Sequence, residues 1–266
     1  ENTNTKTKTI DITVEEKPTG EIYAAAGAGT SGAQFGFGVK ENNFLGNGIA
    51  LDTNFLVSSS QFKGKFAATN PNFRNSDKSV NANIQSLTTD KFDSAGYKTT
   101  KTGFGFGTSF EYQDDVILGL GQESYYEKIE TNSSASTRQK AQEGNYWDTF
   151  INLSFDYDKR NQKFKTSDGF RSLYAIGLPI ISENNSLLNT YVFSYYNELF
   201  QDNVTKFSFY GKSANSITSD DVKLSERVFI PSSRLRGFEA GKVGPKDGDD
   251  HIGGNYASLD FEKEDS

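Results

Sequence analysis

Gly103-Phe104-Gly105-Phe106-Gly107-Thr108-Ser109-Phe110-Glu111-Tyr112 alternates with a period of two. Successive side chains of an extended strand point to opposite faces. Phe104, Phe106, Thr108, Phe110 and Tyr112 therefore share one face, and Gly103, Gly105 and Gly107 the other. No helix follows that would make the glycines a phosphate cradle.

The same period runs outward in both directions. Upstream, Ile22, Ala24, Ala26 and Ala28 form one stripe, Phe35, Phe37 and Val39 a second, Ile49 to Val57 a third, and Phe62 to Ala68 a fourth. Downstream come Val116, Leu118 and Leu120, then Ile151 to Tyr157, then Tyr174, Ile176 and Leu178. Further stripes run around Leu188 to Leu199 and Val204 to Lys212. Asn42 to Gly48, Asn70-Pro71-Asn72 and Asp114-Asp115 are turn chemistry between them. The stripes amount to about twelve strands, of roughly the 9–11 residues that cross a bilayer when tilted. Tight turns such as Asp114-Asp115 alternate with long polar loops, Thr131 to Gly144 and Ser213 to Ile252. Such a rhythm is expected of outer-membrane barrels.

Composition points the same way. Apolar residues are only 34% of the chain, below the ~45–50% of soluble domains, yet 22 Phe and 13 Tyr are present. A barrel with one face of each strand in lipid and a wet interior needs this mixture. No apolar run approaches the ~18 residues of a membrane helix, and no window keeps helical spacing for more than two turns. The chain has no Cys, hence no disulfide framework or thiolate metal site. A net charge of −7 argues against nucleic acid as a partner. Glu1 to Gly20 is polar and does not read as a signal peptide. Within it, Thr7 to Glu16 alternates as a short half-buried strand, and Lys17-Pro18-Thr19-Gly20 breaks it.

No catalytic constellation is present. His251 is the sole histidine, beside Asp247, Asp249 and Asp250, whose spacing lacks the terminal bidentate Glu of a calcium loop. No cofactor is expected. The segment Arg227 to Asn255 carries six Gly and two Pro and reads as a long loop. Its centre, Leu235-Arg236-Gly237-Phe238, is denser than disorder requires. Leu235 and Phe238 are expected to pack there while Arg236 finds a carboxylate in the lumen, because an unpaired buried Arg is too costly.

Several segments in order, Val14 to Gly20, Asn42 to Gly48, Leu235 to Phe238, Val243-Gly-Pro245 and Ile252 to Asn255, resemble the BamA family of outer-membrane barrel-assembly proteins. Asp158 to Asn161 with Thr166 to Arg171 resembles its mid-barrel turn. The resemblance implies a sixteen-stranded transmembrane antiparallel β-barrel in the bacterial outer membrane, preceded by periplasmic polypeptide-transport-associated (POTRA) domains. Residues 1–17 would end the last POTRA domain and residues 18–266 would be barrel, lacking about four strands of the family pattern. The alternative is a smaller barrel whose last strand closes onto its first.

The resemblance also implies roles. The Arg-Gly-Phe loop would be the sixth extracellular loop folded into the lumen, with Asp260 as one partner of Arg236. Tyr23, Ala24, Ala25, Ala26, Gly27, Ala28 and Gly29 would form the gate strand, whose small side chains pack weakly across strands; the same residues also suit a crowded barrel corner. The implied activity is insertion rather than enzymatic catalysis. The implied partners are unfolded outer-membrane proteins, outer-membrane lipids and accessory assembly lipoproteins. A related secretion transporter and a passive pore are the competing readings.

Overall fold

The computed structural model describes residues 11–15, 17–29, 32–183, 186–200, 203–231, 233–235, 237–238, 241–247 and 250–265. Twelve strands form one antiparallel sheet: β1 (Gly20–Gly29), β2 (Gly32–Phe44), β3 (Ile49–Ser58), β4 (Gln61–Asn70), β5 (Ser79–Lys91), β6 (Tyr97–Gln113), β7 (Val116–Thr131), β8 (Gly144–Asp158), β9 (Gly169–Ile181), β10 (Ser186–Phe200), β11 (Asn203–Ser216) and β14 (Tyr256–Asp265). Each pairs only with its neighbours in that order. A two-residue ladder, β12 (Lys246–Asp247) with β13 (Asp250–His251), lies in the long connection before β14. The helical turns α1 (Phe92–Ala95) and α2 (Thr137–Lys140) cap loops at one end of the sheet. No described helix is long and apolar enough to cross a membrane, which says nothing about spanning strands.

The register sorts every stripe onto one face. Phe104 and Phe106 of β6 pair with Ile84 and Ala82 of β5 and with Ser124 and Gln122 of β7. Across β8, β9 and β10 the same face carries Leu153, Ile176 and Asn189. Phe35, Phe106, Leu120, Leu153, Phe155 and Tyr174 are all exposed on it. A belt of this size left open in water would be an aggregation surface; facing hydrocarbon, it is the outer wall of a barrel. The other face is polar, with Lys63, Lys65, Asn81, Asn83, Lys101, Glu123, Asp148 and Asn152 on it across five strands. One loop touches β5, β6, β8 and β11 on that face, as detailed below, so the sheet curls around it and the polar face is the lumen.

The two longest strands, β6 with 17 residues and β7 with 16, go well beyond the ~9–11 residues a bilayer requires. The upper part of the β6–β7 hairpin carries hydroxyls and charges outward instead of rings: Ser86 bonds Thr102 at 2.7 Å, and Lys128 bonds Glu130 at 2.7 Å. Trp147 and Tyr126, paired across β7 and β8, mark the boundary, with Trp147 tilted against Phe104 at 6.4 Å. Amphipathic rings settle at this level of a membrane. Above it the hairpin stands clear of hydrocarbon.

Three features differ from the sequence reading. Asp11–Glu15 form no strand and are exposed, Ile12 and Val14 included, with no strand beside them among the described residues; the rest of Thr7–Glu16 lies outside the described residues. Ser79–Lys91 is a full strand that the stripe reading passes over. Its outer side chains (Val80, Ala82, Ile84) lack rings, and Asn81, Asn83 and Gln85 on its inner face are amides. Finally, loops do not alternate strictly between short and long. At the end where the chain enters, 71–78 and 159–168 are longer than the turn 114–115. The latter segment is compact because Asn161 Oδ1 accepts from the amides of Gln162, Ser167 and Asp168.

Candidate functional site

The connection from β11 to β14, residues 217–255, enters the lumen and is held there at three stations. At the first, Lys223 Nζ donates to both carboxylate oxygens of Asp148 at 2.6 and 2.7 Å. The Ser182 hydroxyl also donates to Asp148, at 2.6 Å, and the Tyr146 ring lies 4.4 Å from the ammonium. Leu224 packs with Ala95, Tyr97 and Ile129, the main buried apolar cluster. Its amide donates to Gln142 Oε1 at 3.0 Å, while Gln142 Nε2 donates to the Val222 carbonyl. Lys223, Asp148 and Gln142 thus each gain a partner on leaving water, which is the condition for burying them.

The second station is α2. Ser136 and Gln139 form a reciprocal capping box, which fixes this single turn despite its length. Ser136 Oγ then reaches Asp247 at 2.7 Å and Gln139 Nε2 reaches Asp250 at 2.8 Å. Arg138 forms a two-pronged pair with Asp221, its Nε at 2.6 Å. That cation holds Asp221 below its ordinary carboxylate range, against a smaller opposing effect of burial.

The third station is aromatic. Lys91 of β5 lies over Phe229 at 4.7 Å, and Arg234 over Tyr210 of β11 at 4.1 Å. Tyr210 stacks on Tyr256 of β14 at 5.8 Å, so the loop cation rests on one ring of a stacked lumen pair.

On the opposite flank of the sheet, β1 pairs with β2 through small residues. Ala24 and Ala26 face Phe37 and Phe35 outside, while Ala25 and Gly27 face Gly36 and Gln34 inside. Only Tyr23 presents bulk to the lumen, lying over Gly38. The entry segment is tied down by Asn42, whose amide and side chain both donate to the Thr19 carbonyl. Among the described residues no strand occupies the second edge of β1 or of β14.

A model of the Omp85 superfamily domain matches residues 43–261. The chain belongs to the Omp85 superfamily. A crystal structure of BamA from Haemophilus ducreyi lacking POTRA domains 1–3 superposes with a TM-score of 0.73 at 23% identity. The match covers 93% of this chain and 53% of that one, so the chain spans about half the length of the protein it resembles. This likeness shows the fold: the twelve-stranded sheet has the path of a BamA barrel. As an Omp85 barrel with a lipid-facing belt, the protein is an outer-membrane protein.

In this Omp85 barrel the sequence-predicted residues lie as follows. Leu235 is half-buried, Gly237 adopts a left-handed φ of 85°, and Phe238 is exposed. Arg236 lies outside the described residues. Asp260 is in β14 opposite Ser208, on the lumen face, exposed and with no ion-pair partner among the described residues. Tyr23 to Gly29 lie in β1, as expected of the first strand. The acids near His251 turn out to serve α2: Asp247 and Asp250 accept its hydrogen bonds, and His251 Nδ1 lies 3.2 Å from the Gly244 carbonyl. No cluster of metal-ligating side chains occurs among the described residues.

Sequence reasoning missed Lys223, Asp148, Asp221, Arg138 and Arg234. A signal was available for the loop residues. Val222-Lys-Leu-Ser-Glu-Arg-Val-Phe229 is richer in apolar side chains than a free loop needs. Their wall partners, 75 and 83 residues away in sequence, have no local signature.

Proposed function

We propose that this chain is barrel from the central subunit of an outer-membrane β-barrel assembly machine, inserting and folding outer-membrane proteins at the seam beside β1. The observation that carries the reading is the small-residue ladder of β1 in an Omp85 barrel. Aromatic cross-strand pairs contribute about 0.2–1 kcal/mol each over alanine pairs. A strand built from Ala and Gly forgoes most of that and is held chiefly by its backbone. Such an edge suits β-augmentation, in which an incoming strand takes backbone bonds without displacing packed side chains. Substrates would be unfolded outer-membrane proteins, in contact with outer-membrane lipids and with accessory lipoproteins on the periplasmic side. Residues 1–17 would be the end of the last POTRA domain, and Arg236 with Asp260 would add a further anchor inside the lumen.

A passive pore is disfavoured, because the loop is fixed at three stations in the lumen. A secretion transporter shares the superfamily and is separated from the assembly reading by its substrate. The test is site-specific photocrosslinking in the full-length protein, with the probe at Ala26 in β1. Adducts with nascent outer-membrane barrel proteins are the expected outcome. Adducts confined to one secreted passenger, or none from a correctly folded barrel, would sink the assembly reading.

A further inference from the structure

Where the loop meets the wall, five charged side chains converge and their charges do not cancel. Lys101 of β6 stands directly opposite Glu127 of β7. Asp148 of β8 holds Lys223, and Glu226 descends from the loop to place Oε1 3.8 Å from Lys101 Nζ. Two cations thus face three carboxylates. Glu127 is fully buried and Glu226 is 7% exposed, yet neither oxygen of either side chain has a hydrogen-bond partner. Lys223 is committed to Asp148, and Lys101 rests over the Tyr125 ring at 4.5 Å, beyond bonding reach of Glu226. A structural ion cluster would pair its members. Here one carboxylate is in surplus, and an ionised carboxylate buried without a bonded partner is driven to neutralise.

We infer that Glu226 is a protonation latch for the lumen loop: it seats against β6 and β7 as the neutral acid, and its ionisation loosens the loop from the wall. Burial raises the Glu226 carboxyl to about 6 from its ordinary 4.5. Glu127 pushes in the same direction, while the charges of Lys101 and, more weakly, Lys223 pull against it. An acid whose value is raised on seating binds more protons in the seated state. Seating is therefore strongest below the ordinary value of 4.5, weakens as pH rises towards about 6, and is level above that. The gap of about 1.5 pH units corresponds to roughly a thirty-fold change in the seating equilibrium. The loop would be held tightly in acid and released towards neutrality. The inference is independent of the assembly reading, since any protein with this loop and wall would carry the latch.

Amide hydrogen exchange of residues 221–230 tests it, in the full-length protein reconstituted in lipid vesicles between pH 4.5 and 7.5. Rates are corrected for intrinsic exchange at each pH and referred to the exposed turn 161–165. Protection in the wild type is expected to fall about thirty-fold as pH rises from 4.5 to 6.5, following the same carboxyl gap. Glu226→Gln should hold high protection at every pH, and Glu127→Gln should move the fall to lower pH. Flat protection in the wild type, or an unchanged fall in Glu226→Gln, would overturn the latch. If Glu226→Gln yields no strand signal, Glu127→Gln decides, and an unshifted midpoint there overturns it.

Discussion

Lys223 Nζ lies 2.6 and 2.7 Å from the two carboxylate oxygens of Asp148, and neither side chain exposes any surface. The contact joins residues 75 apart in sequence and ties the lumen loop to β8. Removing one partner of such a pair leaves a buried charge with nothing to neutralise it, at a cost of about 3–5 kcal/mol. Asp148→Ala should therefore unseat the loop while the twelve strands persist. Loop amides would lose protection and the far-ultraviolet strand signal would remain. Replacing both partners by apolar residues, Asp148→Leu with Lys223→Met, should recover most of the loss. A double variant as poorly seated as Asp148→Ala would show that the pair is not what anchors the loop.

Arg138 and Asp221 make the same kind of fork in a wetter setting, with side chains 47% and 38% exposed. Screening limits exposed pairs to about 0.2–1 kcal/mol. Arg138→Ala should leave the loop seated and make its protection less dependent on salt than the wild type's. The pair also titrates with the opposite sign to Glu226. Asp221 is held below its ordinary value of 3.8, so its contribution is complete above that value and fades as pH falls further. A loop weakened only below about pH 4 in Glu226→Gln, and no longer so weakened when Arg138→Ala is added, is the expected result. Persistence of the acid effect in that double variant would place it elsewhere.

Two inner-face glycines separate a soft contact from a hard one. A Cβ on Gly103 would sit 2.1 Å from the Ser124 carbonyl oxygen and 2.9 Å from Tyr125 Cα, so the β7 backbone itself must move. A Cβ on Gly38 would sit 2.2 Å from Cζ of Tyr23, the far end of a side chain that can swing into the lumen. Overpacking costs about 1–3 kcal/mol, more when backbone must yield. Gly103→Ala is expected at or above the top of that range and Gly38→Ala near its bottom, measured as shifts of the urea unfolding midpoint in vesicles. Tyr23→Ala should abolish the second penalty. Equal penalties at the two sites would contradict this account of the wall.

The wall was legible from sequence and its furnishings were not. Phe104 to Tyr112 announces its outer face because a period of two maps directly onto the pleat of β6. Ser79–Lys91 does not, since Val80, Ala82 and Ile84 are the only apolar residues on a face shared with Ser86 and Thr88. Alternation weakens where a strand rises out of lipid, and there the residues answer to water or to the loop. Asp148 illustrates the limit. In its own neighbourhood, Tyr146-Trp147-Asp148-Thr149-Phe150, it reads as an ordinary inward polar residue. Its importance comes from Lys223, which only the curl of the sheet and the return of the loop after β11 bring near. Resemblance to a family drew attention to Arg236, yet the described cations at the three stations are Lys223, Arg138, Lys91 and Arg234.

Arg234 gives the last prediction. Its guanidinium lies 4.1 Å from the Tyr210 ring centre, and Tyr210 stacks on Tyr256 of the final strand, so the cation rests on a ring that itself bridges the β11–β14 ladder from the lumen side. A cation over an aromatic face is worth about 0.5–2 kcal/mol, rising as water is excluded. Arg234→Lys keeps the charge but loses the flat guanidinium that lies on the ring. It should give partial loop seating, and Arg234→Ala less. Tyr210→Leu should make the two variants equal, because the ring that tells them apart is gone. The readout is amide protection at residues 233–235 and 256–260. If Arg234→Ala is neutral in the wild-type background while the 256–260 ladder stays protected, the stacked cation holds neither the loop nor the last strand.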